Sequence, residues 1–227
     1  MTARAQSPAR GVGASEILSR IATLGLVPVV ELKAADEASR LLDALAGGGL
    51  PAAEITLRTN AGLAAIGALR RSHPDALVGA GTVRSADDAR QVIEQGAQFV
   101  VSPGTDLEVL EVCRSLGVPA VPGVCTPTEV ETAVRAGAKV VKFFPAEAMG
   151  GVAFLKALGG PFRDVSFVPT GGINASNLAD YLRLRGVIAC GGTWMVAPAL
   201  LAEKRFDRIE QLAREAVGIV AEVRAGG

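Results

Sequence analysis

The sequence predicts a (β/α)8 (TIM) barrel with one extra N-terminal helix, and three observations lead to this prediction. Eight short apolar runs, rich in β-branched residues, alternate with segments whose apolar residues recur every three or four positions. A helix end, a glycine and a new apolar run follow one another at Gly96, Gly117, Gly137 and Gly186. The runs are apolar throughout, as in parallel strands buried on both faces. Eight such strands in 227 residues favour a closed barrel.

The eight predicted strands are five to seven residues long and are bounded by turn-forming residues. They lie at residues 27–32, 53–57, 77–81, 99–103, 119–124, 140–145, 165–171 and 187–192. An open, doubly wound sheet is the alternative fold. Its dinucleotide-binding pattern, Gly-x-Gly-x-x-Gly, is incomplete in the sequence because GAGTV at 79–83 holds only the first two glycines.

The predicted helices lie between these strands and at both ends of the barrel. Residues 15–25 predict the extra helix, which would cover the bottom of the barrel, and residues 205–223 predict the closing helix. The segments 85–96 and 126–137 begin with Ser or Thr at the N-cap position, and Pro127 suits a first helical turn. These signals place the start of both helices shortly after a predicted strand.

Charge and hydropathy limit the classes of partner. Residues 1–13 contain arginines but no apolar core of a secretory signal, so we expect a disordered tail followed by one barrel domain over 14–227. No apolar stretch is long enough to span a bilayer. The formal net charge is zero, which gives no electrostatic signature for nucleic acid or an acidic membrane surface. We therefore expect a cytoplasmic protein that binds neither.

Cysteine and histidine are too few for several kinds of chemistry. Cys113, Cys125 and Cys190 are isolated, so neither a disulfide framework nor a zinc site is indicated. The single histidine, His73, precedes Pro74 in a polar turn, where we expect a solvated surface position. With a single histidine, the sequence gives almost no support for a Ser-His-Asp triad or a multi-histidine metal site. The chemistry must use lysine, carboxylate, guanidinium, hydroxyl and backbone groups.

Lys142 lies inside the apolar run VVKFFP, near the carboxyl end of the sixth predicted strand. Functional groups of parallel barrels gather at that end of the strands. Burial disfavours an ammonium and can lower a lysine pKa, and a neutral amine attacks ketones to form a Schiff base. The alternative is a strand-end lysine that extends its charge to water. The apolar neighbours favour the chemical interpretation.

The segment EITLRT at 54–59 carries the second cluster. Glu54, Thr56 and Arg58 share strand parity, so we expect them to point to the same side, into the barrel. A buried structural Glu–Arg pair is the alternative, and such a pair contributes little to stability. Glu54 near Lys142 would favour the ammonium, and Arg58 would offset that attraction. The sequence leaves open which effect prevails.

Two glycine turns follow the last two predicted strands, PTGGIN at 169–174 and CGGTW at 190–194. Glycines let backbone N–H groups approach an anion closely, and a helix opened by Asn174 and Ser176 would point its positive end there. The loops after strands 7 and 8 form the usual phosphate site of barrels. A phosphorylated ligand is therefore expected. Thr82 and Pro103 end the third and fourth predicted strands, where plain turn residues are the alternative.

Seven motifs in order, EITLRT, GAGTV, SPG, PGVCTPTE, KFFPAE, PTGGI and GGTW, resemble the 2-keto-3-deoxy-6-phosphogluconate aldolase family of the Entner–Doudoroff pathway. Its members often also cleave 4-hydroxy-2-oxoglutarate. The likeness runs from about Ser15 to about Val223. It implies a class I aldolase, a lyase on a (β/α)8 barrel, which is usually a homotrimer and needs no metal or other cofactor.

The resemblance also implies a role for each matching residue. Lys142 would form the Schiff base with a keto acid, and Glu54 would be the general acid/base, working through a water. Arg58 and Thr82 would hold the pyruvyl carboxylate, and Pro103 and Phe144 would line the pocket. The phosphate and hydroxyl site would consist of Thr170, Gly171, Gly172, Gly191, Gly192 and Thr193. Thr193 stands where relatives often have serine.

Other functions remain as alternatives. A phosphosugar isomerase or epimerase would reuse the phosphate loops of the same barrel without forming an imine. A barrel without catalytic activity would bind phosphorylated sugar acids without turnover. Within the aldolases, the galactonate-derived epimer of the substrate is the alternative substrate, and the glycine turns with Thr170 favour the gluconate-derived one.

Overall fold

Parallel strands alternate with helices along the chain in the computed structural model, which describes residues 13–226. The strands of the described chain are β1 Leu26–Val30, β2 Ala52–Thr56, β3 Leu77–Gly81, β4 Val100–Val101, β5 Ala120–Val121, β6 Gly123–Val124, β7 Val140–Phe143, β8 Ser166–Phe167 and β9 Cys190–Gly192. This is the α/β class that the sequence predicted. The predicted tail lies outside the described residues, except for Gly13.

The helices pack along the strands and precede or follow each of them. They are α1 Ala14–Leu24, α2 Ala38–Gly47, α3 Ala61–Ser72, α4 Ala86–Glu94, α5 Leu107–Ser115, α6 Pro127–Arg135, α7 Gly151–Gly159, α8 Leu178–Leu182, α9 Pro198–Ala202 and α10 Phe206–Ala225. Short 3₁₀ turns lie at Ala35–Glu37 and Trp194–Val196. Over residues 13–226, none of these helices is both long and apolar enough to cross a membrane.

The strand pairings are all parallel and form two sheets. One has the order β5-β4-β3-β2-β1-β9, and the other has the order β6-β7-β8. The fifth predicted strand is divided into β5 and β6 at Pro122, which has no N–H for the ladder. Two isolated bridges, Phe167 to Val187 and Thr170 to Gly191, connect the β8 segment with the segment of β9.

Local signals in the sequence fix where the helices begin and end. Thr126 and Glu129 form a reciprocal capping box at α6, and the Ser85 hydroxyl accepts a hydrogen bond from Asp88 N–H at the start of α4. The glycines at the helix ends take left-handed backbone angles, as at Gly96 with φ +95° and Gly137 with φ +94°. Each glycine therefore stops a helix and turns the chain toward the next strand.

Alternate residues of the strands belong to two different apolar clusters. In β2, Ala53 and Ile55 pack in the larger cluster under the helices, whereas Ala52 packs in the smaller one. The smaller cluster also receives Ile17 and Ile21 of α1. Because side chains alternate along a strand, Glu54 lies on the face of β2 that carries Ala52. By the same alternation, Lys142 of β7 shares a face with Val140 of the smaller cluster.

Several predicted boundaries were wrong. The predicted strand 99–103 is reduced to Val100–Val101, and 165–171 to Ser166–Phe167, because the following residues bend into loops. The helix expected to open at Asn174 begins only at Leu178 and spans five residues. The Asn174 side chain instead accepts from Ser176 N–H at 2.9 Å and closes a turn.

Candidate active site

Lys142 of β7 and Glu54 of β2 lie close together, each on the side of its strand that carries residues of the smaller apolar cluster. The Lys142 side-chain nitrogen lies 3.6 Å from Glu54 Oε1, and the two side chains are only 7% and 5% exposed. Burying two charges costs free energy that their attraction seldom recovers in full. A buried ion pair of this kind on the parallel strands of a barrel-like fold is a candidate for chemistry. The structure thus brings together the two residues that the sequence singled out first.

The immediate surroundings of this pair are apolar. The Lys142 nitrogen lies 5.0 Å from the centre of the Phe144 ring. The pair itself lines a cavity of about 20 Å³, whose other walls are mainly apolar side chains, among them Val27, Phe99 and Val168. Glu54 Oε1 accepts no hydrogen bond from any residue in the described range, since 3.6 Å exceeds hydrogen-bond length. The carboxylate is therefore free to accept a proton or a hydrogen bond from a substrate.

Gly81 is a site residue that sequence reasoning missed. A Cβ at this position would lie 2.1 Å from Glu54 Oε1, far inside van der Waals contact. Gly81 pairs with Thr56 across the β2–β3 ladder, so its missing side chain leaves room for the Glu54 carboxylate. The sequence shows Gly81 as the second glycine of GAGTV, but it does not show that this glycine lies against Glu54.

Arg58 does not follow the parity predicted for it. Strand β2 ends at Thr56, whose hydroxyl donates to the Val30 carbonyl at 3.0 Å, and the chain then turns toward α3. Arg58 lies in that turn with its side chain 49% exposed, 3.6 Å from Glu31 Oε2. The expectation that Arg58 points into the barrel with Glu54 was therefore wrong, because the strand alternation ends at Thr56. An exposed pair such as Arg58–Glu31 is worth little, so the guanidinium remains available to an anion.

Thr82 follows β3 directly and has φ +59°, in the left-handed region that a β-branched residue rarely adopts. Such strained residues cluster at functional sites. Pro103 follows β4 and is exposed, and its carbonyl oxygen would lie 2.1 Å from a Cβ on Gly123. Gly123 is itself the register partner of Lys142. Close approach of the Pro103 loop to β6 therefore depends on Gly123, a second glycine that sequence reasoning missed.

The two predicted glycine turns lie next to each other. Thr170 and Gly191 form a bridge, and a Cβ on Gly191 would lie 2.3 Å from Thr170 Oγ1. Gly171 and Gly172 have φ +101° and +83°. Within residues 13–226, the N–H groups of Gly172 and Ile173 donate to no protein acceptor. Successive free N–H groups of this kind form an anion-binding nest.

The second turn is less enclosed. Gly191 and Gly192 are buried in β9, whereas Thr193 is exposed at the start of the 3₁₀ turn Trp194–Val196. A Cβ on Gly192 would lie 2.0 Å from the Trp194 ring. Gly192 thus lets the indole fold back over the strand, and Thr193 is left at the surface.

The residues that the sequence set aside lie apart from this chemistry. His73 was expected at a solvated surface, but its side chain is only 17% exposed because α2 brings Asp43 Oδ1 within 2.9 Å of Nε2. The three cysteines are free thiols. Burial raises the pKa of the Cys113 thiol to about 11, so it stays protonated at neutral pH. In the described part of the chain, no group of three His, Cys, Asp or Glu residues is placed to hold a metal ion.

Comparison with known proteins gives consistent matches. Residues 17–212 match the family model described as KDPG and KHG aldolase. The KHG/KDPG aldolase of Escherichia coli (strain K12) is 43% identical over 199 residues, covering 88% of this chain and 93% of that protein. A KDPG aldolase from Legionella pneumophila, solved with pyruvate as a covalent carbinolamine, has a TM-score of 0.84 and 37% identity, covering 86% of this chain and 95% of its own. The aldolase of Zymomonas mobilis ZM4, solved with 3-phosphoglycerate, has a TM-score of 0.83 and 34% identity, covering 91% and 97%.

Proposed function

The chain belongs to the KDPG and KHG aldolase family, and on that premise we propose that it is a class I aldolase that cleaves 2-keto-3-deoxy-6-phosphogluconate (KDPG). The products are pyruvate and glyceraldehyde 3-phosphate, and 4-hydroxy-2-oxoglutarate (KHG) is a second substrate. The buried Lys142–Glu54 pair carries this proposal, because it supplies a nucleophilic amine and a proton-transferring carboxylate within one apolar pocket.

The reaction begins at Lys142. Its amine attacks the C2 ketone, and the resulting carbinolamine loses water to form an iminium. Glu54, directly or through a water, supplies and removes the protons of these steps. It then takes the proton of the C4 hydroxyl, the C3–C4 bond breaks, and its electron pair moves into the iminium to give an enamine. Protonation at C3 and hydrolysis by one water release pyruvate and restore the lysine.

The carboxylate of the keto acid is held at the mouth of the site. Arg58 supports this role because its side chain is half exposed and its only close carboxylate among the described residues is that of Glu31. The Thr82 hydroxyl is the second donor, and the strained left-handed backbone of this residue supports a functional role. Pro103 and Phe144 form apolar walls beside the reacting carbons.

The phosphate binds at the glycine turns. The free N–H groups of Gly172 and Ile173 support this assignment, Gly171 shapes the turn between them and Thr170, and Thr170 and Thr193 offer hydroxyls. Gly191 and Gly192 allow close approach from the neighbouring turn. The Zymomonas mobilis relative was solved with a phosphorylated compound, 3-phosphoglycerate. The galactonate-derived epimer differs from KDPG in the configuration of one hydroxyl group. Steady-state kinetics with each compound determines which of the two is preferred.

We further propose the larger organisation that the pairings support. If β5 and β6 are counted as one interrupted strand, they join the two sheets at one edge, and the two isolated bridges join β8 to the segment of β9 at the other. The sheets then form a closed (β/α)8 barrel. Ile17 and Ile21 of α1 fit the role of an extra helix closing its bottom. Residues 14–227 constitute this single domain, working in the cytoplasm as a homotrimer, with the lysine imine in place of a metal.

Borohydride reduction in the presence of pyruvate tests the central step. Reduction of the iminium fixes a pyruvate-derived group on the amine, and we expect mass spectrometry to locate it on Lys142. Lys139, exposed and three residues earlier, is the internal control. A coupled lactate dehydrogenase assay on KDPG, its galactonate epimer and KHG measures pyruvate release. A label elsewhere, or no pyruvate release, would refute the proposal, and an isomerase would give neither signal.

A further inference from the structure

We propose that Glu147 and Tyr181 are positioning residues that hold the Gly171–Gly172 turn in the shape that binds the substrate phosphate. This role rests on the proposed function and deepens it, because it makes the pair a determinant of preference for phosphorylated keto acids. Neither residue belongs to the set predicted from the sequence.

Glu147 and Tyr181 connect two loops at the carboxyl ends of β7 and β8. Glu147 lies in the loop between β7 and α7, and Tyr181 lies in α8, which follows the Gly171–Gly172 turn. The Tyr181 side chain is fully buried, and its hydroxyl donates to Glu147 Oε1. Burial, reinforced by this hydrogen bond, raises the pKa of Tyr181, so the phenol is a donor throughout the neutral range. The pair therefore fastens the helix after the turn to the loop after Lys142.

Glu147 also contacts the turn itself. Its N–H donates to the Gly171 carbonyl at 3.0 Å, next to the bond from Ala146 N–H to the Thr170 carbonyl at 2.8 Å. A Cβ on Gly172 would lie 2.5 Å from Glu147 Cγ and 2.6 Å from its Cβ. The stem of the Glu147 side chain thus lies directly against the backbone of Gly172. Only glycine fits there, both for space and for its φ of +83°.

The remaining carbonyl of the turn is held from the other side. The side-chain amides of Asn174 and Asn177 donate to the Gly172 carbonyl at 3.2 and 3.1 Å. Both carbonyls of the turn are therefore engaged, whereas the N–H group of Gly172 has no acceptor among residues 13–226. The turn presents donors only, which is the arrangement that selects an anion. Loss of the Tyr181 hydroxyl would free both the turn and a carboxylate that repels phosphate, whereas loss of the Glu147 side chain would free the turn alone.

Steady-state kinetics of four variants test this role on the full-length enzyme. In Glu147→Ala and Tyr181→Phe we expect the KM for KDPG to rise about tenfold, as for loss of one hydrogen bond to a charged group. The KM and kcat for unphosphorylated KHG should stay within about twofold, since that substrate makes no phosphate contact. Glu147→Gln keeps an acceptor for the Tyr181 hydroxyl, so its KM for KDPG should stay close to the wild-type value. Glu111→Ala, on the exposed face of α5, is the matched control.

Inorganic phosphate provides a second measurement. Its inhibition constant against KDPG should rise in Glu147→Ala and Tyr181→Phe by the same factor as the KM. An equal rise in KM for both substrates, or no rise for KDPG, would overturn the positioning role, because a general structural defect does not distinguish them. If the wild type released pyruvate from neither substrate, the proposed function would fail and this role with it. An active wild type with an unchanged KM ratio in the variants would overturn this role alone.

Discussion

The side-chain nitrogen of Lys142 lies 3.6 Å from Oε1 of Glu54, and the atoms are held there by two strands that are not neighbours in the sheets. At this distance the two groups attract each other without a direct hydrogen bond. The lysine is thus close enough to exchange protons through a substrate group or a water while its amine remains open to attack a ketone. This geometry leads to the first two predictions.

Replacing Lys142 by alanine should abolish aldolase activity while the fold is kept. The nucleophile is lost, so we expect kcat for KDPG to fall by at least about 10³-fold. Removing a buried charge partner also leaves Glu54 uncompensated, but the apolar surroundings accept alanine. Circular dichroism and pyruvate release are the measurements, with Lys139→Ala as the control. Full activity of Lys142→Ala would contradict the assignment.

Replacing Glu54 by glutamine should slow proton transfer without preventing imine formation entirely. Glutamine keeps the shape but not the basicity, so we expect kcat to fall about 10²- to 10⁴-fold with little change in KM. Borohydride with pyruvate should still label Lys142, more slowly than in the wild type. The exposed Glu131, which pairs with Arg135 on α6, provides the control variant Glu131→Gln. Wild-type turnover in Glu54→Gln would remove the carboxylate from the mechanism.

Adding one methyl group at Gly81 should displace the Glu54 carboxylate. In Gly81→Ala the new Cβ would lie 2.1 Å from Oε1, so the carboxylate must move and we expect kcat to fall at least about tenfold. Gly218 of α10 is the matched control, because a Cβ there meets no atom within 4 Å. Gly218→Ala should keep full activity and stabilise the protein by about 0.5–1 kcal/mol. Equal activity of the two variants would show that Glu54 tolerates the methyl group.

Replacing Arg58 by alanine should mainly weaken recognition of the keto acid carboxylate. Because the Arg58–Glu31 pair is exposed, its loss should change the free energy of unfolding by less than about 1 kcal/mol. The KM for KDPG and for KHG should rise together, since both substrates carry this carboxylate. Arg90→Ala, which removes an exposed cation of α4, is the control. An unchanged KM for both substrates would exclude this role.

The buried thiol of Cys113 should make stability depend on pH in the alkaline range. Burial raises the pKa of Cys113 to about 11 from an ordinary 9.0. Above pH 9.0 the unfolded chain loses this proton and the folded protein keeps it, so the contribution present below pH 9.0 is lost as pH rises toward 11. The loss is about 1.4 kcal/mol per pH unit for this group. Urea midpoints between about pH 8 and about pH 10.5 should fall less steeply in Cys113→Ala, and identical slopes would contradict the expectation.

Much of this fold follows from local patterns. The apolar runs, the glycines that end helices and the Thr126 capping box predicted the alternation of strands and helices, because burial and backbone conformation are properties of short segments. Lys142 was recognisable for the same reason, as a charged residue inside an apolar strand. The ordered motifs also identified the family, which the family model and the relatives confirm.

Contacts between distant segments were decided only by the tertiary structure. The sequence indicated Glu54 and Lys142 separately, but the register of the strands and their alternation bring the two side chains to 3.6 Å. Arg58 turned out to lie beside Glu31, because β2 ends before it, and its expected place beside Glu54 was wrong. The need for glycine at Gly81 and the bond between Tyr181 and Glu147 left no sequence signal. Alternation fixes which face a residue occupies only within a strand, whereas where the strand ends and which atoms meet on that face depend on how the strands and loops pack in three dimensions.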